Sequence, residues 1–152
     1  MNPPTPSLAQ LVPAAHVLAG RSAADKPALL RLLATLAAAG TGLDAASLAA
    51  ALAAREALGS TGIGAGLALP HARVAGLAAP LGWLVRLARP LAFDAVDGAP
   101  VDIVLMLLAP QGDDAAHLAA LAAVSRRLRQ PNIAAAIRAA PDEAAMRAAL
   151  TG

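Results

Sequence analysis

Cysteine and tyrosine are missing from this 152-residue chain, and tryptophan, phenylalanine and lysine occur once each, as Trp83, Phe93 and Lys26. Without cysteine there is no disulfide, no thiol nucleophile and no cysteine-ligated metal. With so few aromatic rings the chain lacks the platforms on which nucleic-acid bases stack. The isoelectric point of about 10.4 does not restore a nucleic-acid reading. It comes from eleven arginines and the absence of tyrosine, while ten acidic residues leave a net charge of only +2. The one basic cluster, Arg126, Arg127 and Arg129, reads as a solvated helix face. The N-terminal "MNPPTPSLAQ" has neither the basic start nor the apolar run of a secretory signal. The longest weakly charged stretch, residues 32–54, is diluted by alanine and broken by "AGTGLD", so it predicts two helices and a turn and no membrane insertion. Together these absences point to a cytoplasmic protein without a nucleic-acid partner.

What the chain does have is alanine, roughly a third of all residues, and therefore a strong helical tendency around a core of small side chains. The length suits one domain. We expect a flexible tail over residues 1–7 and a single domain over 8–150. The segment "AAHVLAG" predicts a short strand. A helix is predicted from Ser22 as cap, with Pro27 in its first turn and Gly40 as its stop. A second runs from Asp44 to Ala57. The runs "LGWLVRLARPLAF" and "VDIVLMLLAP", separated by the turn "DAVDGAP", are apolar, and the second reads as a buried strand. A long helix opens at Asp113 or Asp114 and reaches about Gln130, and short ones start near Pro131 and Pro141. Helices interleaved with buried strands predict an α/β fold, a mixed sheet covered by helices on both faces.

One stretch departs from this plain composition: "REALGSTGIGAGLALPHARVAGL", residues 55–77. It carries no lysine for a phosphate-binding loop of the Walker type, and Pro70 forbids the helix that a dinucleotide fingerprint must open. In an extended chain Gly62, Gly64 and Gly66 would leave one face bare, open to another backbone or to a phosphate held by N–H groups. Pro70 fixes the chain direction just before His71. Two further polar residues sit on apolar stripes, Arg55 on the second helix and His117 on the long one. Singly, His117 reads as a core histidine and Arg55 as a partner of a helix C-terminus. Beside a presented His71, both also read as members of a site. His16 has no polar companion and is read as structural. No histidine spacing suits zinc, and no Gly-x-Ser-x-Gly elbow suits a serine hydrolase.

Arg55-Glu56, Ser60 to Gly64 and Pro70-His71 closely resemble the active-site segment of the fructose–mannitol type (type 2) enzyme IIA domains of the bacterial phosphoenolpyruvate-dependent phosphotransferase system, most of all the nitrogen-regulatory (PtsN) branch. The spacings of 16 residues from Arg55 to His71 and 46 from His71 to His117 are similar to that family's, and the likeness extends over residues 8–150. The resemblance implies a phosphocarrier. His71 would accept phosphate on Nε2 (tele-phosphohistidine) from a small phosphohistidine carrier of the HPr or NPr kind, with Nδ1–H held by a backbone carbonyl. His117 and Arg55 would support the transfer, and Ser60, Thr61, Gly62 and Gly64 would support the phosphate, with no metal and no other cofactor. The family usually has asparagine where this chain has Ala65, so the hydrogen bond of that side chain is not expected here. The nitrogen-type motif, with no permease segment alongside, implies regulation of partners such as kinases or transporters through phosphorylation state. The alternatives are a sugar-specific component that hands phosphate to a permease IIB domain, and a binding module whose histidine no longer takes phosphate.

Overall fold

A computed structural model describes residues 6–152. Residues 1–5 of the expected tail lie outside the described residues, whereas Ser7 caps the first helix, α1 (Leu8–Leu11), in a reciprocal pairing with Gln10. A single 3-10 turn, Ala14–His16, then leads into β1 (Val17–Arg21), so the strand predicted over "AAHVLAG" begins three residues late.

Helix α2 (Lys26–Thr41) is capped by Asp25, not Ser22, through a bond accepted from the Ala28 N–H. The proline decides this. A cap at Ser22 would put Pro27 inside the helix, where its ring clashes with a carbonyl one turn back; a cap at Asp25 leaves it in the first turn, where no N–H partner is needed. The helix ends at Gly42, which takes the left-handed conformation (φ 77°), and not at Gly40. Gly40 serves packing instead: a Cβ there would meet the His16 ring at 3.4 Å. His16 stacks on Trp83, rings 4.2 Å apart, with Nδ1 at 3.1 Å from the Gly82 carbonyl, in accord with a structural role. Helix α3 (Ala45–Ala57) starts at its Asp44 cap as predicted.

Strands β2 (Gly62–Gly64), β3 (Leu67–Ala68), β4 (His71–Val74), β5 (Leu81–Leu91) and β6 (Val101–Pro110) join β1 in one sheet of order β1-β5-β6-β3-β2, with β4 also paired to β6. The sheet is mixed: β1 runs parallel to β5, β5 antiparallel to β6, β3 and β4 parallel to β6, and β2 antiparallel to β3. Helices α4 (Asp114–Leu128), α5 (Pro131–Ala139) and α6 (Glu143–Thr151) complete the chain; the last starts two residues beyond Pro141 because Asp142 supplies the cap.

The alternation of β6 sorts the core into two layers. Val104, Met106 and Leu108 face Leu29, Leu33, Leu48 and Leu52 of α2 and α3. Ile103, Leu105 and Leu107 face Leu11, Val124, Ile137, Met146 and Leu150 of the other helices. Each fully buried leucine or isoleucine contributes about 1.5–3 kcal/mol, which holds helices too short to stand alone. The expected α/β fold, a sheet with helices on both faces, is what is found.

Candidate functional site

His71 opens β4, where the sheet narrows. Until Leu69 the chain has an outer neighbour, with the Leu69 N–H donating to the Thr61 carbonyl; from His71 onward β4 pairs with β6 alone. On one face α3 packs against Ala72 and Val74 of β4, and on the other α4 brings His117 to His71. The imidazole therefore sits at a sheet edge between two helices, half buried, in a cleft of about 480 Å³ lined by Ala51, Ala54, Arg55, Leu58, Ala72, Arg73 and His117.

The tautomer follows from the partners. Arg55, in the last turn of α3, directs its Nε–H at His71 Nε2, 3.1 Å away, and its Nη1–H at the Gly59 carbonyl. A guanidinium donates only, so Nε2 must accept and carries a lone pair. The ring proton is then on Nδ1, which donates to the Leu69 carbonyl at 2.8 Å. Burial pushes the His71 pKa below its usual 6.5, helped by the Arg55 and Arg73 charges and opposed by the Leu69 bond and Glu56. The ring is a neutral imidazole at pH 7, its nucleophilic nitrogen defined by its neighbours.

His117 lies one turn into α4, only 4% exposed, its ring centroid 5.4 Å from that of His71. Its Nδ1 is buried without a hydrogen-bond partner. Such an orphan costs about 1–3 kcal/mol, and a cost of that kind asks for a reason beyond packing. Burial lowers its pKa too, with His71 and Arg73 adding to the effect and Asp114 opposing it.

The glycine segment does not run as an extended bare face. Gly64, Ala65 and Gly66 all have positive φ and turn the chain from β2 back into β3. The close neighbour of Gly62 is this chain's own Ala95, whose Cα would lie 2.9 Å from an added Cβ. The expected phosphate-supporting groups are committed elsewhere. Ser60 Oγ donates to the Phe93 carbonyl and accepts from the Gly62 N–H. Thr61 gives both its N–H and its hydroxyl to Glu56. Gly64 lines a different cleft, beside Asp97 and Arg138. Ser60, Thr61 and Gly62 thus bond within the loop and its supports, and none of the four lines the cleft of His71.

Glu56 is the anchor of that loop. Successive helix residues point about 100° apart, so Arg55 reaches His71 while Glu56 turns inward, where Lys26 Nζ meets it at 2.6 Å. The single lysine also donates to the Phe93 carbonyl and lies over the Phe93 ring. Lys26 and Arg73 were not singled out from the sequence as parts of the site. Arg73 had a legible signal: two residues after His71 on a strand, it shares the same face.

Ala65 stands at φ 57°, with its N–H bound to Asp97 and its carbonyl to Arg138. A left-handed alanine is strained, whereas asparagine tolerates that region. We expect Ala65→Asn to stabilise the protein by about 0.5–1 kcal/mol, read as a higher urea midpoint at unchanged m-value. A lower midpoint would show that the strain is not there to relieve.

Comparison with known proteins shows the family and the fold. The family model described as "Phosphoenolpyruvate-dependent sugar phosphotransferase system, EIIA 2" matches residues 10–152. A nitrogen regulatory protein of Bradyrhizobium diazoefficiens is 40% identical over 139 residues, 91% of either chain. Among solved structures, nitrogen regulatory protein IIA-Ntr from Neisseria meningitidis superposes with a TM-score of 0.88 at 32% identity, covering 95% of this chain and 99% of that one. Mannitol IIA from Escherichia coli shares the fold, with a TM-score of 0.75 at 17% identity over 90% of this chain and 96% of its own. The chain belongs to the type-2 enzyme IIA family of the phosphoenolpyruvate-dependent sugar phosphotransferase system.

Proposed function

We propose that this protein is a phosphocarrier that takes a phosphoryl group onto His71 Nε2 from the phosphohistidine of a small carrier protein, and that its phosphorylation state regulates other proteins. The observation that carries the proposal is the pair of bonds on His71, Nδ1–H to Leu69 and Nε2 to Arg55. They leave one nitrogen as nucleophile and put a guanidinium beside it.

In the transfer, the Nε2 lone pair forms the new N–P bond as the donor's P–N bond breaks and its electron pair returns to the donor ring. The Nδ1 proton stays on His71, held by the Leu69 carbonyl. Arg55 covers the lone pair in the resting protein and shifts by one hydrogen bond to an oxygen of the arriving group. His117 lines the same cleft, its ring centroid 5.4 Å from that of His71, where the imidazole can serve the same group. Phosphoryl transfer between two histidines needs mainly positioning and charge stabilisation, which these side chains supply.

The cleft has an apolar rim suited to brief docking. Leu58, at the end of α3 and on the cleft wall, is 84% exposed, and Leu118, the residue after His117 in sequence, is 64% exposed on α4. Small, short-lived interfaces are enough for a carrier that must leave again. We expect Leu58→Asp to raise the KM for the carrier about ten-fold with little change in kcat, since truncating one apolar anchor is worth about 1–2 kcal/mol. An unchanged KM would place the docking surface elsewhere.

The regulatory role is supported by relatives that bear the name of nitrogen regulatory proteins and match nearly the whole chain. Among the described residues no helix is long and apolar enough to cross a membrane. The proposal places the exchange in the cytoplasm. Its test is incubation with the phosphotransferase relay and labelled phosphoenolpyruvate, followed by pull-down with wild type, His71→Ala and His71→Asp. Label on wild type, with partner sets that differ among the three, supports the proposal. Identical partner sets together with hand-off to a permease IIB domain would replace regulation by sugar transport. No label on wild type would leave a binding module.

A further inference from the structure

Beside the two histidines lies a second facing pair that the proposed transfer does not use. Arg73 follows His71 by two residues on β4, so the two side chains leave the same face of the strand, about 6–7 Å apart along it. Asp114 precedes His117 by three residues on α4, so these also share a face. Where the strand crosses the helix, His71 meets His117 and Arg73 makes an ion pair with Asp114. Arg73 lines the same cleft as His71, His117 and Arg55.

We infer that Arg73 is a second guanidinium for the phosphoryl group of His71, and that Asp114 is the counter-ion that holds it aside until the group arrives. The inference rests on His71 being the phosphorylated residue.

Two observations and the chemistry of phosphate carry it. The ion pair is exposed on both sides, 51% for the Arg73 side chain and 69% for Asp114, so solvent screens it and it exchanges readily. The phosphoryl group brings about −1.5 to −2 charges and three acceptor oxygens against the single charge of Asp114. A guanidinium binds phosphate oxygens through a planar fork of donors, so it gains geometry as well as charge by the exchange. Asp114 is not stranded when Arg73 leaves. It lies in the first turn of α4, where exposed N–H groups and the helix dipole favour a negative charge. No bond to phosphorus is made or broken by Arg73; it positions and stabilises the group that His71 carries. The exchange would also alter the surface, because a neutral Arg–Asp pair in the resting protein becomes a free carboxylate beside a screened phosphate. A partner that reads the phosphorylation state would meet both changes at once.

The test measures the fraction of phosphorylated protein at a fixed ratio of phosphorylated to free carrier, with the phosphoryl pKa followed by 31P NMR. Wild type, Arg73→Ala, Arg73→Lys, Asp114→Asn and the double variant Arg73→Ala/Asp114→Asn are compared. Arg73→Ala should shift the equilibrium about five-fold against the phosphoprotein and raise the phosphoryl pKa, a readout that a purely structural arginine would not move. Arg73→Lys should recover part of the loss. Asp114→Asn should shift the equilibrium about two- to five-fold toward the phosphoprotein, and this gain should vanish in the double variant. If wild type takes label but Arg73→Ala matches it in both readouts, the inference is overturned while the assignment of His71 stands. A gain from Asp114→Asn that persists in the double variant also overturns it, since Asp114 would then act without Arg73. Wild type that takes no label overturns the assignment of His71 and this inference with it.

Discussion

His71→Ala is expected to take up no phosphate at all from the labelled relay, with its fold intact. The ring is half buried at a sheet edge, and its removal leaves a small void beside a cleft already open to solvent, not a hole in either core layer. The chemistry has no substitute. His117 is the other imidazole in the cleft, but it is 4% exposed and lacks the pair of bonds that fixes Nε2 as the unprotonated nitrogen of His71. On wild type the label should be lost in acid and kept in base, the behaviour of a phosphate bonded to nitrogen. Label on His71→Ala at the wild-type rate would move the phosphorylation site elsewhere.

Loss of Arg55 or of His117 should slow transfer by ~10²–10³, the usual consequence of removing one preorganised partner of a developing charge. Arg55→Lys should rescue little, because an ammonium cannot meet Nε2 and the Gly59 carbonyl with one planar group. The pH dependence adds a sign. Burial first, and Arg55 among the further causes, hold the His71 pKa below 6.5. The nucleophilic neutral form therefore persists through neutral pH, and the rate should fall only as acid protonates the folded ring. Arg55→Ala removes one lowering influence, so that acid fall should begin at higher pH. The same depression links to stability: the unfolded chain binds protons more readily in this range, so stability is complete above about pH 6.5 and declines as the pH drops through the folded value. Single-turnover rates across pH for wild type and variant decide this. An Arg55→Ala profile that overlies wild type, or wild-type kinetics for His117→Ala, would demote the residue to a helix cap or a core filler.

Much of this site was legible because it is written in short-range terms. A proline before a histidine, an arginine on an apolar helical stripe and acidic caps at Asp44 and at Asp113 or Asp114 depend only on neighbours a few residues away, and the structure shows the stripe and caps at Asp44 and Asp113. The misplaced start of α2 was readable by the same means, since Pro27 excludes a cap at Ser22. The glycines were not. Their spacing announces that something comes close, yet the neighbours are Ala95 at Gly62, Asp97 at Gly64, and Asp102 with Arg138 at Gly66, all supplied from 30 or more residues away. Nor could sequence show that the hydroxyls of Ser60 and Thr61 are already taken by Phe93 and Glu56.

By itself, then, the sequence determined the five longer helices to within a few residues, the long buried strand β6, the α/β class and a histidine preceded by proline, with an arginine and a second histidine on apolar helical stripes, because periodicity and backbone chemistry act locally. The tertiary structure alone decided which faces meet. It set β4 at a sheet edge between α3 and α4, brought Arg55 onto His71 Nε2, faced Arg73 with Asp114, and turned Glu56 and Lys26 into the support of the loop. Those contacts follow from strand order and helix crossing, which are properties of the whole packed chain and have no period along it.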